Sequence, residues 1–287
     1  MCNGVAATAA ASNSPPLEHG EISAQRAQLL RRRHRPAQRA AFALLLAAVA
    51  GSVDAIGYLT LFQLFIAHMS GNTVRVGIFI GQRDWTSMFQ RAFPIPMLVL
   101  GVMAGGLLTE VGLRRGFRAT LSAILLLECL LLAVFAVYAS TVVVLGQVPP
   151  SDGWRFYLAV ALPAFALGLQ NAALRRVGGH TVRTTFVTGM LTDLAEAAVA
   201  YAVWLHDQRR CTPNLRLSTL VRRSGQDESF HRFVLYTSIW LMYVAGAVAG
   251  TLAKASFGLA GLALPIALLA LVSLWNAYRP VLPPEPE

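Results

Sequence analysis

A carboxylate, an imidazole and a guanidinium occur at Asp54, His68 and Arg75, in or beside segments that are otherwise almost wholly apolar. A carboxylate in such a run can hold a proton or a cation, and an imidazole titrates near neutral pH. A guanidinium pairs with a carboxylate or with an anionic solute. Asp54 sits about fourteen residues into its run, about 20 Å deep at 1.5 Å per residue. A bare charge at that depth is costly and must be paired, protonated or hydrated. The motif around the imidazole reads His68-Met69-Ser70-Gly71-Asn72-Thr73, followed by Arg75. Ser70, Asn72 and Thr73 can bond backbone groups freed at a helix break, and Gly71 admits a turn or a close approach. The plain alternative is a polar packing seam between helices. A lone His is more often structural than a ligand, and no second His stands at metal-ligand spacing.

A second polar set follows in the later half. Thr185, Thr188, Thr192 and Glu196 share one helical face, and Asp193 lies beside it. Gln170 and Asn171 precede this set as uncharged polar groups deep in an apolar run. Such a face can line a pore or cup a cation. The alternative is a set of inter-helix hydrogen bonds worth about 0.6–2 kcal/mol each. Two carboxylates so close together favour function, and Arg75 is the expected partner for Asp54, Asp193, Glu196 or an anionic solute. Glu128, deep in its own run, is a weaker candidate than Asp54. Glu110 reads as an interfacial charge near Arg114. Gly101, Gly105 and Gly106, with Gly246 and Gly250, read as close helix packing rather than ligand binding. No phosphate loop, zinc-protease motif, nucleophile elbow or dinucleotide fingerprint is present. The expectation is a protein that is not an enzyme and takes no cofactor and no metal. Cys2, Cys129 and Cys211 form neither a disulfide framework nor a zinc signature.

The elements that must position these groups follow from composition. Of 287 residues, 55% are hydrophobic and 13% are charged, and the mean hydropathy is +0.54. A soluble domain carries about 25% charged residues, so a soluble or disordered chain is excluded. The unbroken apolar runs also differ from the alternating segments of a membrane barrel. The fold class expected is all-α, a polytopic helical membrane protein with six to eight transmembrane segments. Six stretches reach the roughly 20 apolar residues a crossing needs: 40–61, 93–111, 120–145, 154–173, 232–253 and 258–278. The stretches 66–82 and 183–205 are polar and charged, so they should be buried in protein or line a wet cavity.

The net charge is +10, and every basic residue except Lys254 is an Arg. The Arg residues gather in the tail and short loops, as the positive-inside rule requires, rather than on a nucleic-acid-binding face. Residues 1–39 read as a disordered basic tail whose Arg cluster holds the N-terminus in the cytoplasm, and 279–287 as a C-terminal tail. The partners expected are the lipid bilayer and a small solute or ion, with no nucleic acid. A bacterial inner membrane is the expected location.

The chain also repeats itself. Gly51-Ser-Val-Asp54-Ala aligns with Gly168-Leu-Gln-Asn171-Ala, Ala67-His-Met-Ser70-Gly71 with Thr185-Phe-Val-Thr188-Gly189, and Gly101-Val-Met-Ala-Gly105 with Gly246-Ala-Val-Ala-Gly250. Two related halves, 40–145 and 154–278, follow. If all eight stretches cross, the Arg-bearing loops 112–119 and 174–183 face outward, against the charge rule. If the two polar stretches enter and return on one side, six helices cross and only Arg83 and Arg91 disagree. Three crossings per half would make the repeats inverted, a common transporter plan.

These paired motifs, Gly51-Ser-Val-Asp54-Ala-Ile-Gly-Tyr58 with Ala67-His68-Met-Ser-Gly71-Asn72-Thr73, and Gly168-Leu-Gln170-Asn171-Ala-Ala-Leu-Arg175 with Thr184-Thr-Phe-Val-Thr188-Gly189, resemble those of the YoaK-like family of bacterial and fungal membrane proteins. The resemblance covers about residues 40–278. It implies a multi-pass membrane protein and brings no assigned catalytic or binding residues. The functional expectation is a secondary transporter or permease, with a non-transporting scaffold or sensor as the alternative.

Overall fold

The computed structural model describes residues 19–61, 63–117, 120–144, 153–177, 187–212 and 217–278, and all structural statements refer to these. They form α1 (His19–Thr60), α2 (Met69–Gly81), α3 (Trp85–Ala92), α4 (Pro94–Arg114), α5 (Thr120–Val144), α6 (Trp154–Val177), α7 (Val187–Cys211), α8 (Leu217–Ser224), α9 (Glu228–Phe257) and α10 (Ala263–Tyr278). A short 3-10 turn, Gly258–Leu262, joins the last two helices. No strand occurs among the described residues. This is an all-α, multi-pass membrane architecture. Five segments are long and apolar enough to cross a bilayer: Ala37–Thr60, Trp85–Gly112, Thr120–Thr141, Trp154–Ala173 and Glu228–Tyr278. The last holds both α9 and α10, so it contains two of the six expected stretches.

Among the described residues, 19–39 of the expected 1–39 tail are helical. Leu, Gln, Ala and Arg dominate 19–35 and are all strong helix formers. Residues 1–18 and the expected tail 279–287 lie outside the described residues. The stretch 206–231, between the polar stretch 183–205 and the last two apolar runs, holds the end of α7, all of α8 and the start of α9.

Two parallel helix pairs form the frame. In the first, α1 packs on α9 with their backbones almost touching. A Cβ added at Gly51 would lie 2.1 Å from Tyr243 O, and one at Gly246 would lie 2.0 Å from Ala48 O. In the second, α4 packs on α6 in the same manner. A Cβ at Gly101 would lie 2.2 Å from Phe165 O, and one at Gly168 would lie 2.4 Å from Leu98 O. Glycine is required at all four positions because any side chain would drive into main chain. Gly105 and Gly250 extend the two seams, whereas Gly106 meets nothing within 4 Å and takes no part.

The pairs are joined through α5 and α10, which run antiparallel. Ser122 Oγ donates to Ser273 O at 3.0 Å, Ser273 Oγ returns a bond to Ser122 O at 3.1 Å, and Asn276 Nδ2 donates to Ser122 Oγ at 2.8 Å. Further along, Cys129 Sγ reaches Ile266 O at 3.8 Å. The turn into α10 rests on Gly258, whose φ of 61° suits a residue without Cβ. Gly261 then lies on the backbone of Ala253 and Lys254, so the chain doubles back. The core contains Phe42, Leu46, Ile56, Leu125, Leu132, Phe135 and Leu167, while Met103, Leu107, Leu130, Val137, Val248 and Leu252 stay exposed. In water such a surface would aggregate; in a bilayer it is the lipid-facing side.

Candidate functional site

The site forms where α1 ends and the chain turns back. Beyond Thr60, the connecting residues 63–68 fold against α1 and present two backbone N–H groups to Asp54. Ile66 N and Ala67 N donate to Asp54 Oδ1 at 3.1 and 3.0 Å. The other oxygen, Oδ2, accepts from Tyr243 Oη at 2.9 Å and from His68 Nδ1 in a short contact. The carboxylate thus receives four donors and is buried, with 5% of the residue exposed. His68 is more open, its side chain 28% exposed. Its bond to Asp54 raises the imidazole pKa above the ordinary 6.5, against the opposing effect of partial burial. The His68 ring also stands edge-on to Tyr243, with centroids 5.8 Å apart.

The rest of the motif holds the break open. Buried Asn72 donates from Nδ2 to Phe65 O at 2.7 Å, satisfying a carbonyl freed by the turn. Gln63 takes a positive φ of 58° there. Thr73 bonds back to Met69 O at 2.8 Å, and Ser70 is exposed. Arg75 does not pair with Asp54, Asp193 or Glu196 as expected. Its Nη1 donates to Gln63 O at 2.6 Å, and its guanidinium stands over the Phe65 ring at 5.6 Å. The reason is competition: Asp54 is already filled by His68, Tyr243 and two main-chain donors. Arg75 therefore braces the connection rather than neutralising the acid. On the same rim, Lys254 Nζ donates to Thr60 Oγ1 in a short contact that ties α9 to the end of α1.

The second polar set is not part of this cluster. Thr188, Thr192 and Glu196 are exposed on the outer face of α7, and Asp193 is half-buried. Thr192 Oγ1 bonds Thr188 O at 3.1 Å within its own helix. α7 packs on α9 through Met190 and Ala197, with Tyr201 against Phe230 and Phe233. Thr185 lies outside the described residues. Gln170 is buried and donates to Leu46 O at 2.8 Å, linking α6 to α1, and Asn171 is buried beside it. Tyr243 was not singled out from the sequence. Its signal was its spacing, because it shares a face of α9 with Gly246 and Gly250, the face that meets α1. The Ser122–Ser273–Asn276 clasp was missed because single hydroxyls in an apolar run carry no motif. Among the described residues no group of three or more His, Cys, Asp or Glu side chains could hold a metal.

A model of the family described as "Protein of unknown function (DUF1275)" matches residues 42–275, a range that contains Asp54 and its partners. The chain belongs to this family. The UPF0700 transmembrane protein YoaK of Bacillus subtilis (strain 168) is 29% identical to it over 155 residues, 53% of this chain. That match covers 64% of the YoaK length, less than two thirds of it. No solved structure matches. Membership in the family agrees with the resemblance of the paired motifs and with the helical membrane architecture.

Proposed function

We propose that this family member is a secondary transporter or permease for a small solute or ion, and that it is not an enzyme. The observation that carries the reading is the Asp54–His68–Tyr243 cluster. A buried carboxylate is held by two main-chain N–H groups of a returning connection, an imidazole and a phenol from a second helix. Half-helices that start at mid-membrane beside such groups are the usual build of a transport site.

The directions of the helices support the plan of two inverted halves. α2 has 13 residues, about 20 Å of helix, too short to cross about 30 Å of hydrocarbon. It starts beside Asp54 and reaches the level of Gln63 by Arg75, so it runs back toward the face it came from. α7 runs antiparallel to α9, and Val187 falls about 20 Å before Tyr201, near the level of Tyr243. It leaves toward the opposite face. With both polar segments returning, α1 and α9 run parallel, α4 and α6 run parallel, and α5 and α10 run antiparallel, as their contacts require. With both crossing, α5 and α10 would be parallel, against the Ser122–Ser273 and Cys129–Ile266 contacts.

The seams repeat as well. Under the alignment of Gly51 with Gly168 and Gly101 with Gly246, the contact Gly246–Ala48 matches Gly101–Phe165, and Gly51–Tyr243 matches Gly168–Leu98. Each half therefore packs its first crossing helix on the second crossing helix of the other, α1 on α9 and α6 on α4. The Arg-rich loops support a cytoplasmic N-terminus, and the location that fits this reading is a bacterial inner membrane. The bound species is a proton, a cation or a small solute, not nucleic acid.

A second reading, a scaffold or sensor, is favoured by the completeness of the Asp54 shell, since a fully satisfied carboxylate also suits a structural clasp. Purified protein in liposomes, screened for solute flux across a pH gradient, separates the two. The transport reading expects flux that Asp54→Asn abolishes while the protein stays folded. Flux unchanged in Asp54→Asn and His68→Gln sinks the assigned roles.

A further inference from the structure

One ionisable group stands apart from this site. Glu128, on α5, is fully buried, and neither carboxyl oxygen has a hydrogen-bond partner among the described residues. Its face of α5 is otherwise apolar: Leu121, Ile124, Leu125, Leu132 and Phe135 are all buried around it. The elements packed on α5 bring no counter-charge to the middle of that helix. α10 and the turn 258–262 carry only Tyr278 as a titratable group. On α6 the titratable groups are Arg155, Tyr157, Arg175 and Arg176, toward its ends. On α4 they are Glu110 and Arg114, which pair with each other at 3.0 Å at the helix end. On α5 itself Cys129 points to Ile266 O, and Tyr138 lies at the far end on Arg155 O. Asp54 is saturated by its own donors.

An unpaired carboxylate in such a core costs more than any neighbouring dipole returns, so the group is carried neutral. A Leu or Gln would pack there without that demand, and neither stands in its place. We infer that Glu128 is a proton-binding site in the bundle core, distinct from Asp54, which releases its proton only when α5 parts from α6 and α10. The release half of this statement rests on the transport reading. The proton-holding half does not.

The test uses the full chain in liposomes. Infrared spectra above neutral pH should contain the C=O stretch of a neutral carboxylic acid. That band should vanish in Glu128→Gln, shift in Glu128→Asp and survive in Asp54→Asn. Dicyclohexylcarbodiimide, which attacks protonated carboxyls in apolar surroundings, should add its mass to the peptide holding Glu128 and to no peptide of Glu128→Gln. Identical spectra for the wild type and Glu128→Gln, or no label at Glu128, overturn the proposal. Where a solute that the protein transports is found, Glu128→Gln should uncouple its flux from the pH gradient, and coupled flux unchanged in that variant overturns the release half. A band lost in Glu128→Gln from a protein that moves no solute keeps the proton site and removes only the transport reading.

Discussion

At the scale of single residues, Asp54 is held by its neighbours and in turn holds them. Removing its carboxylate strands two main-chain N–H groups, a phenol and an imidazole. Each buried donor left unsatisfied costs about 1–3 kcal/mol. Asp54→Ala should therefore lower the melting temperature in detergent well beyond the effect of Ser70→Ala, whose side chain is exposed. The His68 contact adds a pH dependence with a definite sign. Its imidazole binds protons more tightly folded than unfolded, because Asp54 accepts its bond. The contribution is complete below the ordinary value of 6.5 and fades as pH rises through the higher folded value. Melting temperature measured against pH should fall over that window in the wild type, and His68→Gln should flatten the fall. Asp54 and His68 were legible from the sequence because charge in an apolar run is rare. Their pairing with each other rather than with Arg75 was not legible, because it depends on the turn at 63–68.

At the scale of elements, the two glycine seams make a paired prediction. Gly246→Val and Gly101→Val each push a branched side chain into a carbonyl about 2 Å away. Each should cost several kcal/mol or prevent folding, at the large end of single-residue effects. Gly77→Ala on α2 meets nothing within 4 Å and should be neutral or stabilise by up to about 1 kcal/mol. Thermal melts of the three variants check this. If Gly246→Val is as stable as wild type, the seam at α1–α9 is not as close as described. The helices themselves were readable from apolar length, and the glycines from spacing. The break after Thr60 was foreshadowed by Gly71, Asn72 and Thr73, although the residue that satisfies Phe65 O is Asn72 alone. The second polar face does not join the Asp54 cluster, because helical periodicity tells which residues share a face but not which way that face points. Thr188, Thr192 and Glu196 share a face, and it points outward.

At the scale of the whole molecule, the architecture reduces to two parallel helix pairs, α1 with α9 and α4 with α6, with α5 and α10 closing the bundle. No local signal in the sequence revealed that α1 packs on α9 and α6 on α4. That interlock is a product of tertiary contact between residues almost two hundred positions apart, such as Tyr243 and Asp54. The proposed transport plan needs six crossings with the polar segments returning at opposite faces. Sidedness of labelling tests this most directly. In a chain with Cys2, Cys129 and Cys211 replaced, single cysteines at Gln147 and His180 would be exposed to an impermeant thiol reagent on intact cells. The account predicts label at Gln147→Cys from outside, and label at His180→Cys only after the membrane is opened. Label at His180→Cys from outside, with Gln147→Cys protected, would contradict it.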